Sequence, residues 1–297
     1  MIRCLLVGLI FIISISSVSA QPAPNVVVSI RPIHSIVSAL MEGVSEPRLL
    51  LDSNESAHTF HLKPSQLKLL SNADLLITIG DSFESGLSKV IRNIDQNYRL
   101  NLSEIKELQI YDFRDHNEIE HDEHDEHDED LHLWLDVGNV QIIAEKIKQK
   151  LIEINPSNKE QYNTNYLELK SKLNQLEEKI QFQLEPIKST PFAIYADILQ
   201  YFEKNFDLNK PVIIAPYHGA RLSINRVIKA KNKMKNQKTR CLIYGSENTS
   251  KQINVLTEGL DIKAHSVDIL GVKLEPGSEQ YFDLMKEISN QLASCLE

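Results

Sequence analysis

Cysteine is scarce in this chain: three residues in 297, and one of them, Cys4, sits within the first few positions. So few thiols argue against a thiolate cage as the source of any metal affinity. Long apolar runs are scarce too. Residues 4–15 form an apolar stretch of about a dozen, short of the ~20 that a membrane-crossing helix needs. Catalytic signatures are missing as well, with no His-Glu-x-x-His pair, no nucleophile elbow and no second acid paired to a metal motif. A zinc hydrolase would need an open metal position and a nearby general base, so the sequence offers it little support. Nor does the charge balance point to a nucleic-acid surface. The formal net charge is −9, yet residues 112–130 alone hold eleven acids and one base, Arg114, for −10. The remainder of the chain is therefore +1, nearly neutral.

What the chain does have is that acidic run. Histidines stand at His116, His121, His124 and His127, interleaved with aspartates and glutamates, and the run closes on Asp130-Leu131-His132-Leu133-Trp134. Neutral imidazole is the commonest metal ligand, and carboxylates complete coordination or orient the rings. A His/Asp tract is a compositional metal signal, against the blander alternative of a solvated acidic loop. With almost no apolar residues, the segment cannot bury enough surface to offset the entropy of ordering, so it is expected to be mobile and to hold metal loosely.

Met1-Ile2-Arg3, the apolar run, and the small residues Ser16 to Ala20 read together as a secretory signal peptide ending at Ala20. Cys4 stands at the very start of the apolar run, badly placed to become a lipid-modified mature terminus. The mature protein is expected to be exported and free of the membrane. It keeps two cysteines, Cys241 and Cys295. In an oxidising compartment an even pair reads as a disulfide, with two buried free thiols as the alternative.

The rest reads as α/β. Residues 25–30 and 75–80 are strand-like, with an amphipathic stretch at 33–41 and a short helix after Pro64-Ser65. Strand candidates recur at 192–195, 212–216, 241–245 and 264–269, and a last helix is expected over about 279–295. Such alternation implies parallel sheets covered by helices on both faces. Between the halves, Tyr162, Tyr166, Leu169, Leu173, Leu176 and Ile180 form one helical stripe. Ser157 and Glu160 match a capping box at its start, and Pro186 or Pro191 ends it. A rod crossing the back of both halves accounts for this stripe better than a coiled coil. The expected organisation is a signal peptide over 1–20, a first lobe over 21–154 that includes the acidic run, a linking helix over 155–188 and a second lobe over 189–297.

Several segments resemble the metal-specific branch of ABC-transporter solute-binding proteins, most closely its zinc-uptake members. His58-Thr59-Phe60-His61-Leu62-Lys63-Pro64-Ser65 looks like the first ligand motif, and Asp130-Leu131-His132-Leu133-Trp134-Leu135 like the second. Ser71 to Leu75 with Ile79-Gly80, Tyr201-Phe202-Glu203-Lys204 and Asp268-Ile269-Leu270-Gly271 match further landmarks, and the His/Asp run sits where zinc members carry a metal-rich loop. Cys241 and Cys295 fall where zinc members of Gram-negative bacteria place a disulfide. The resemblance covers nearly all of the mature chain. It implies two small parallel-sheet lobes joined by one long rigid helix, with the metal held in the cleft. His58 and His132 would be imidazole ligands, with Asp268 contributing a carboxylate directly or orienting a ligand. His34 and His61 lack that support.

Two departures stand out. The family's third histidine precedes an aspartate, and here that position is Ala196, followed by Asp197. The family carboxylate four residues after the first cysteine is here Gly245, with Glu247 two residues on. Asp197, His218, Glu247, His265, Asp268 or a loop histidine such as His127 stand open as replacements. The resemblance implies a periplasmic Zn2+-capture subunit, monomeric, that performs no bond chemistry and hands its ion to an inner-membrane permease and its ATPase. The alternatives are a degenerate member acting as a metal buffer or adhesin, which the two departures motivate, and the zinc hydrolase. The motifs do not separate zinc from manganese.

Overall fold

The computed structural model describes residues 22–51, 60–114, 129–215 and 222–297. The signal segment, His58, His218 and the four loop histidines lie outside the described residues. In the first lobe, β1 (Val26–Val28), α1 (Arg31–Leu40), β2 (Arg48–Leu49), α2 (Pro64–Ser71), β3 (Leu75–Thr78), α3 (Ser88–Ile91) and β4 (Arg99–Asn101) follow in order. Their strands make a parallel sheet in the order β2-β1-β3-β4, with Val27 beside Leu76. Every residue of β1 and β3 is buried. That is why these strands read as unbroken apolar runs: a parallel strand is covered on both faces. Helix α1 turns Ile33, Ile36, Val37 and Leu40 onto the sheet at the three-four spacing of one helix face.

A short antiparallel pair, β5 (Tyr111–Asp112) and β6 (Glu129–Asp130), brackets the acidic run. Helices α4 (Val137–Ile154) and α5 (Lys159–Leu184) come next. The stripe on α5 is buried as expected, with Tyr162, Leu169, Leu173, Leu176 and Ile180 inside. At 26 residues it is a rod of about 39 Å, packed against α1, α4 and the last helix. The capping box is corrected. Residues Pro156–Asn158 form a 3-10 turn, and α5 begins at Lys159 after Asn158, with no side-chain cap. Asn155 closes the reversal instead, its buried side-chain oxygen accepting from Asn158 Nδ2 (2.5 Å) and the Tyr162 hydroxyl (3.4 Å).

The second lobe holds β7 (Phe192–Ala196), α6 (Gln200–Asn205), β8 (Val212–Ala215), α7 (Ile224–Asn236), β9 (Cys241–Gly245), α8 (Ser250–Thr257), β10 (Lys263–Val267) and α9 (Gln280–Leu296). Its sheet runs β8-β7-β9-β10, all parallel. Counted within each lobe, both sheets have the strand order second, first, third, fourth. The chain thus repeats one topology without repeating its sequence. In each lobe the connections diverge between the first and third strands. In open α/β sheets that divergence opens a crevice at the carboxyl ends of the strands. Helix α9 ties the lobes: it packs on β9 and β10 and also on α1, where the Tyr281 N–H donates to Ser35 Oγ (2.9 Å). Among the described residues no helix is long and apolar enough to cross a membrane.

Cys241 on β9 and Cys295 on α9 are disulfide-bonded, with Cα atoms 5.4 Å apart and a sequence separation of 54. Closing a loop of that size is worth roughly 4 kcal/mol in the chain-entropy account. Reduction, or Cys295→Ser, is therefore expected to lower the thermal midpoint by several degrees. Differential scanning calorimetry with and without reductant measures it, and an unchanged midpoint would show that packing alone holds α9.

Candidate metal centre

His132 opens a 3-10 turn, Leu133–Leu135, directly after β6. Its ring Nδ1 lies 2.6 Å from Asp130 Oδ1, and its backbone N–H donates to the same oxygen at 3.1 Å. Asp130 is fully buried, and Gln200 Nε2 donates to its second oxygen (3.3 Å). A carboxylate accepting from Nδ1 places the ring proton there, leaving Nε2 with its lone pair in the coordinating tautomer. Edge-on rings of Phe83 (5.9 Å) and Trp134 (5.4 Å) wall the imidazole. The turn also meets the second lobe: Trp134 Nε1 donates to the Ile269 carbonyl (2.8 Å), and the Tyr281 hydroxyl to the Trp134 carbonyl (2.9 Å). Tyr201 donates to the Asp130 carbonyl at 2.6 Å. His132 is thus held at the junction of the lobes.

Phe60, two residues along the chain from His58, is buried. A Cβ on Gly86 would fall on the Phe60 carbonyl, so glycine permits this close backbone crossing. The first lobe's crevice, at the ends of β1 and β3, is filled by Glu84. Its carboxylate accepts from Ser29 Oγ (2.5 Å) and from the N–H groups of Ile79 and Gly80 (2.9 Å each). Burial pushes this carboxyl from 4.5 up to about 7, against the pull of those donors.

In the second lobe Ala196 ends β7 as a buried methyl. The adjacent Asp197 accepts from Arg114 through both oxygens, Nε to Oδ2 at 2.9 Å, while Arg114 Nη1 donates to Glu203 (2.6 Å). Burial nevertheless pushes the Glu203 carboxyl up, to about 7, despite that guanidinium. Asp197 therefore spends its charge on Arg114. His265 turns toward α9, its Nδ1 3.1 Å from Gln291 Oε1. His34 is packed under Pro47, with Nε2 3.1 Å from its carbonyl, and burial lowers its pKa; His61 is exposed. Asp268 shapes the turn after β10, accepting from the N–H groups of Leu270 (3.0 Å), Gly271 (2.9 Å) and Val272 (2.7 Å).

Glu247 lies two residues beyond Gly245. A Cβ built on Gly245 would coincide with the Glu247 carboxylate. The longer side chain thus folds back into the space that a side chain at 245 would occupy, at the carboxyl end of β9. Among the described residues no three His, Cys, Asp or Glu side chains converge as a complete metal site. The partners of the candidate residues are not legible in sequence: Arg114 reads as a lone base, and Asp130 only as part of a motif. An acid two residues before a motif histidine was the available signal for Asp130.

The model of the family described as zinc-uptake complex component A, periplasmic, matches residues 26–295. This chain belongs to that family. Its relative in Brucella abortus (strain 2308), the high-affinity zinc uptake system protein ZnuA, is 31% identical, across 92% of this chain and 91% of that protein. The crystal structure of ZnuA overlays with a TM-score of 0.77 at 19% identity, over 93% of this chain and 100% of the other. A mutant of the laminin-binding adhesin Lmb from Streptococcus agalactiae gives 0.76 at 17% identity, over 92% and 100%. At those identities the structures bear on the fold alone: two parallel-sheet lobes joined by a long helix. As a zinc-uptake component A, the chain is a periplasmic zinc-binding part of an uptake system, with zinc as its transported ligand.

Two predictions follow from the geometry. Asp130→Ala removes the acceptor that sets the His132 tautomer and is expected to weaken zinc binding by roughly 10–100-fold, read by competition titration; unchanged affinity would show that His132 needs no such partner. Glu84 is raised in the folded state, so the stability its protonation contributes is full below pH 4.5 and is lost as pH rises through about 7. Urea unfolding is expected to give lower stability at pH 8 than at pH 5.5. Glu84→Gln, less stable at either pH because its amide faces the Gly80 N–H, should lose part of that difference, the rest belonging to Glu203, which is raised to about 7 as well.

Proposed function

We propose that the chain scavenges zinc in the cleft through His58 and His132 and releases it, without bond chemistry, to an inner-membrane ABC permease driven by its ATPase. The observation that carries this reading is His132, held by Asp130 in the metal-binding tautomer where the two lobes meet. Two imidazoles alone do not make a substrate-type site, which needs at least three ligands. The second lobe supplies carboxylate oxygen at the edge where its strands end. Asp268, which orders the turn after β10, is the carboxylate assigned to the ion here, with Glu247, folded over Gly245, as the alternative. Asp197 is withdrawn by Arg114. A site of imidazole and one or two carboxylates binds zinc firmly yet lets it go, because proton competition and ligand rearrangement both loosen it.

The protein works as an exported monomer whose signal segment is removed after Ala20. His116, His121, His124 and His127 form an auxiliary, weaker store in the acidic run, where the concentrated negative charge raises the local concentration of divalent cations.

His58→Ala and His132→Ala are each expected to abolish the tightest zinc step in a competition titration while the circular dichroism spectrum is kept. Deletion of residues 118–129 should remove weaker zinc equivalents and leave the tight step nearly unchanged. Retention of the tight step by both histidine variants would overturn the assignment; its loss on deletion would place the missing ligand in the loop.

A further inference from the structure

The near-neutral balance outside the acidic run conceals a second charge segregation. Residues 222–246 hold seven bases and no acid. Most of them lie on α7, which buries Ala230 and Met234 on its inner side and packs beside β8 and α8. Lys231 is engaged locally, its ammonium donating to the carbonyls of Val255 (3.2 Å) and Glu258 (2.6 Å) at the end of α8. Lys233, Lys235 and, just past the helix, Lys238 are exposed. So are two isoleucines at the start of the helix, Ile224 at 79% and Ile228 at 52%. They are one turn apart, hence neighbours, and Lys235 lies along the same stripe.

We propose that the outer face of α7 is a peripheral membrane-docking surface for anionic phospholipid, with Ile224 and Ile228 entering the headgroup boundary and the lysines meeting lipid phosphates. Two features favour a bilayer over a protein. Residues 222–238 contain no aromatic residue, whereas protein interfaces are enriched in aromatics and arginine and depleted in lysine. A lysine ammonium is a hydrated point charge on a flexible stem, suited to a fluid array of phosphates rather than to fixed carboxylates. Aliphatic residues beside a lysine-rich face are what holds a helix in the plane of a membrane interface.

The chain's overall −9 does not forbid the contact. At 0.1 M salt the Debye length is about 10 Å, so charge farther away is screened while lysines touching the surface are not. Docking is accordingly weak, reversible and salt-sensitive, as a shuttling carrier requires. The start of α7 follows the strand ends of the second lobe, so adsorption keeps that edge close to the bilayer. The inference goes beyond zinc binding and its test needs no metal.

The test is co-sedimentation of the mature, full-length protein with vesicles of phosphatidylglycerol mixed with phosphatidylcholine, against pure phosphatidylcholine. Association with the anionic vesicles alone, lost at high salt, is expected. Lys235→Glu with Lys238→Glu, and separately Ile224→Ser with Ile228→Ser, should each cut it at least roughly tenfold while zinc affinity and thermal midpoint stay as in the parent. No association with anionic vesicles at low salt would overturn the proposal. So would association that ignores the isoleucine change and is fully displaced by soluble polyglutamate, since the face would then be reading an acidic protein.

Discussion

Asp130 has no contact with solvent, and its burial is tolerable because donors surround it: the His132 ring and backbone nitrogens and the Gln200 amide. Those same bonds decide what His132 can do. With Nδ1 turned to the carboxylate, Nε2 is the nitrogen left to coordinate. Because Asp130 also pairs with Tyr111 across β5 and β6, the ends of the acidic run are drawn together beside the imidazole. Tyr201 and Trp134 then fasten the same short stretch to the second lobe. One buried carboxylate therefore sets ring chemistry, loop anchorage and part of the contact between lobes.

The two sheets solve one problem twice. Each has the strand order second, first, third, fourth, so each opens a crevice at the same place in its topology. In the first lobe Glu84 fills it, bridging the ends of β1 and β3. In the second, Ala196 leaves it apolar, Arg114 neutralises Asp197, and Glu247 reaches into the room above Gly245. Glu247 thus occupies the room that a side chain at 245 would take, because the chain turns back over its own glycine. The rod α5 and helix α9 hold the lobes in register, and packing across a long helix resists the bending that a flexible linker would allow.

Charge is distributed by the same economy of position. Eleven of the acids fall between residues 112 and 130, and a run of seven bases without an acid falls between 222 and 246, most of it on α7. Averaged over the chain they nearly cancel outside the acidic run, so a net count is a poor guide to either surface. What matters is which residues share a face within a Debye length.

The sequence alone determined much of the fold. Apolar runs in β1, β3 and β7, and the stripe on α5, announce parallel sheets and a rod, because burial on two faces or on one leaves a periodicity that can be counted. His132 was visible inside its motif, and the cysteine pair followed from parity. Local pattern failed where tertiary contacts compete with it: Ser157 and Glu160 have capping-box spacing, yet buried Asn155 took over the reversal before α5. The same holds at the candidate centre. That Arg114 consumes Asp197, that His265 turns to Gln291, and that Glu247 folds over Gly245 are facts of distance between residues far apart in sequence or bent back by a turn. Hydrogen bonding and ion pairing act over about 3 Å; only the folded chain decides which groups come that close.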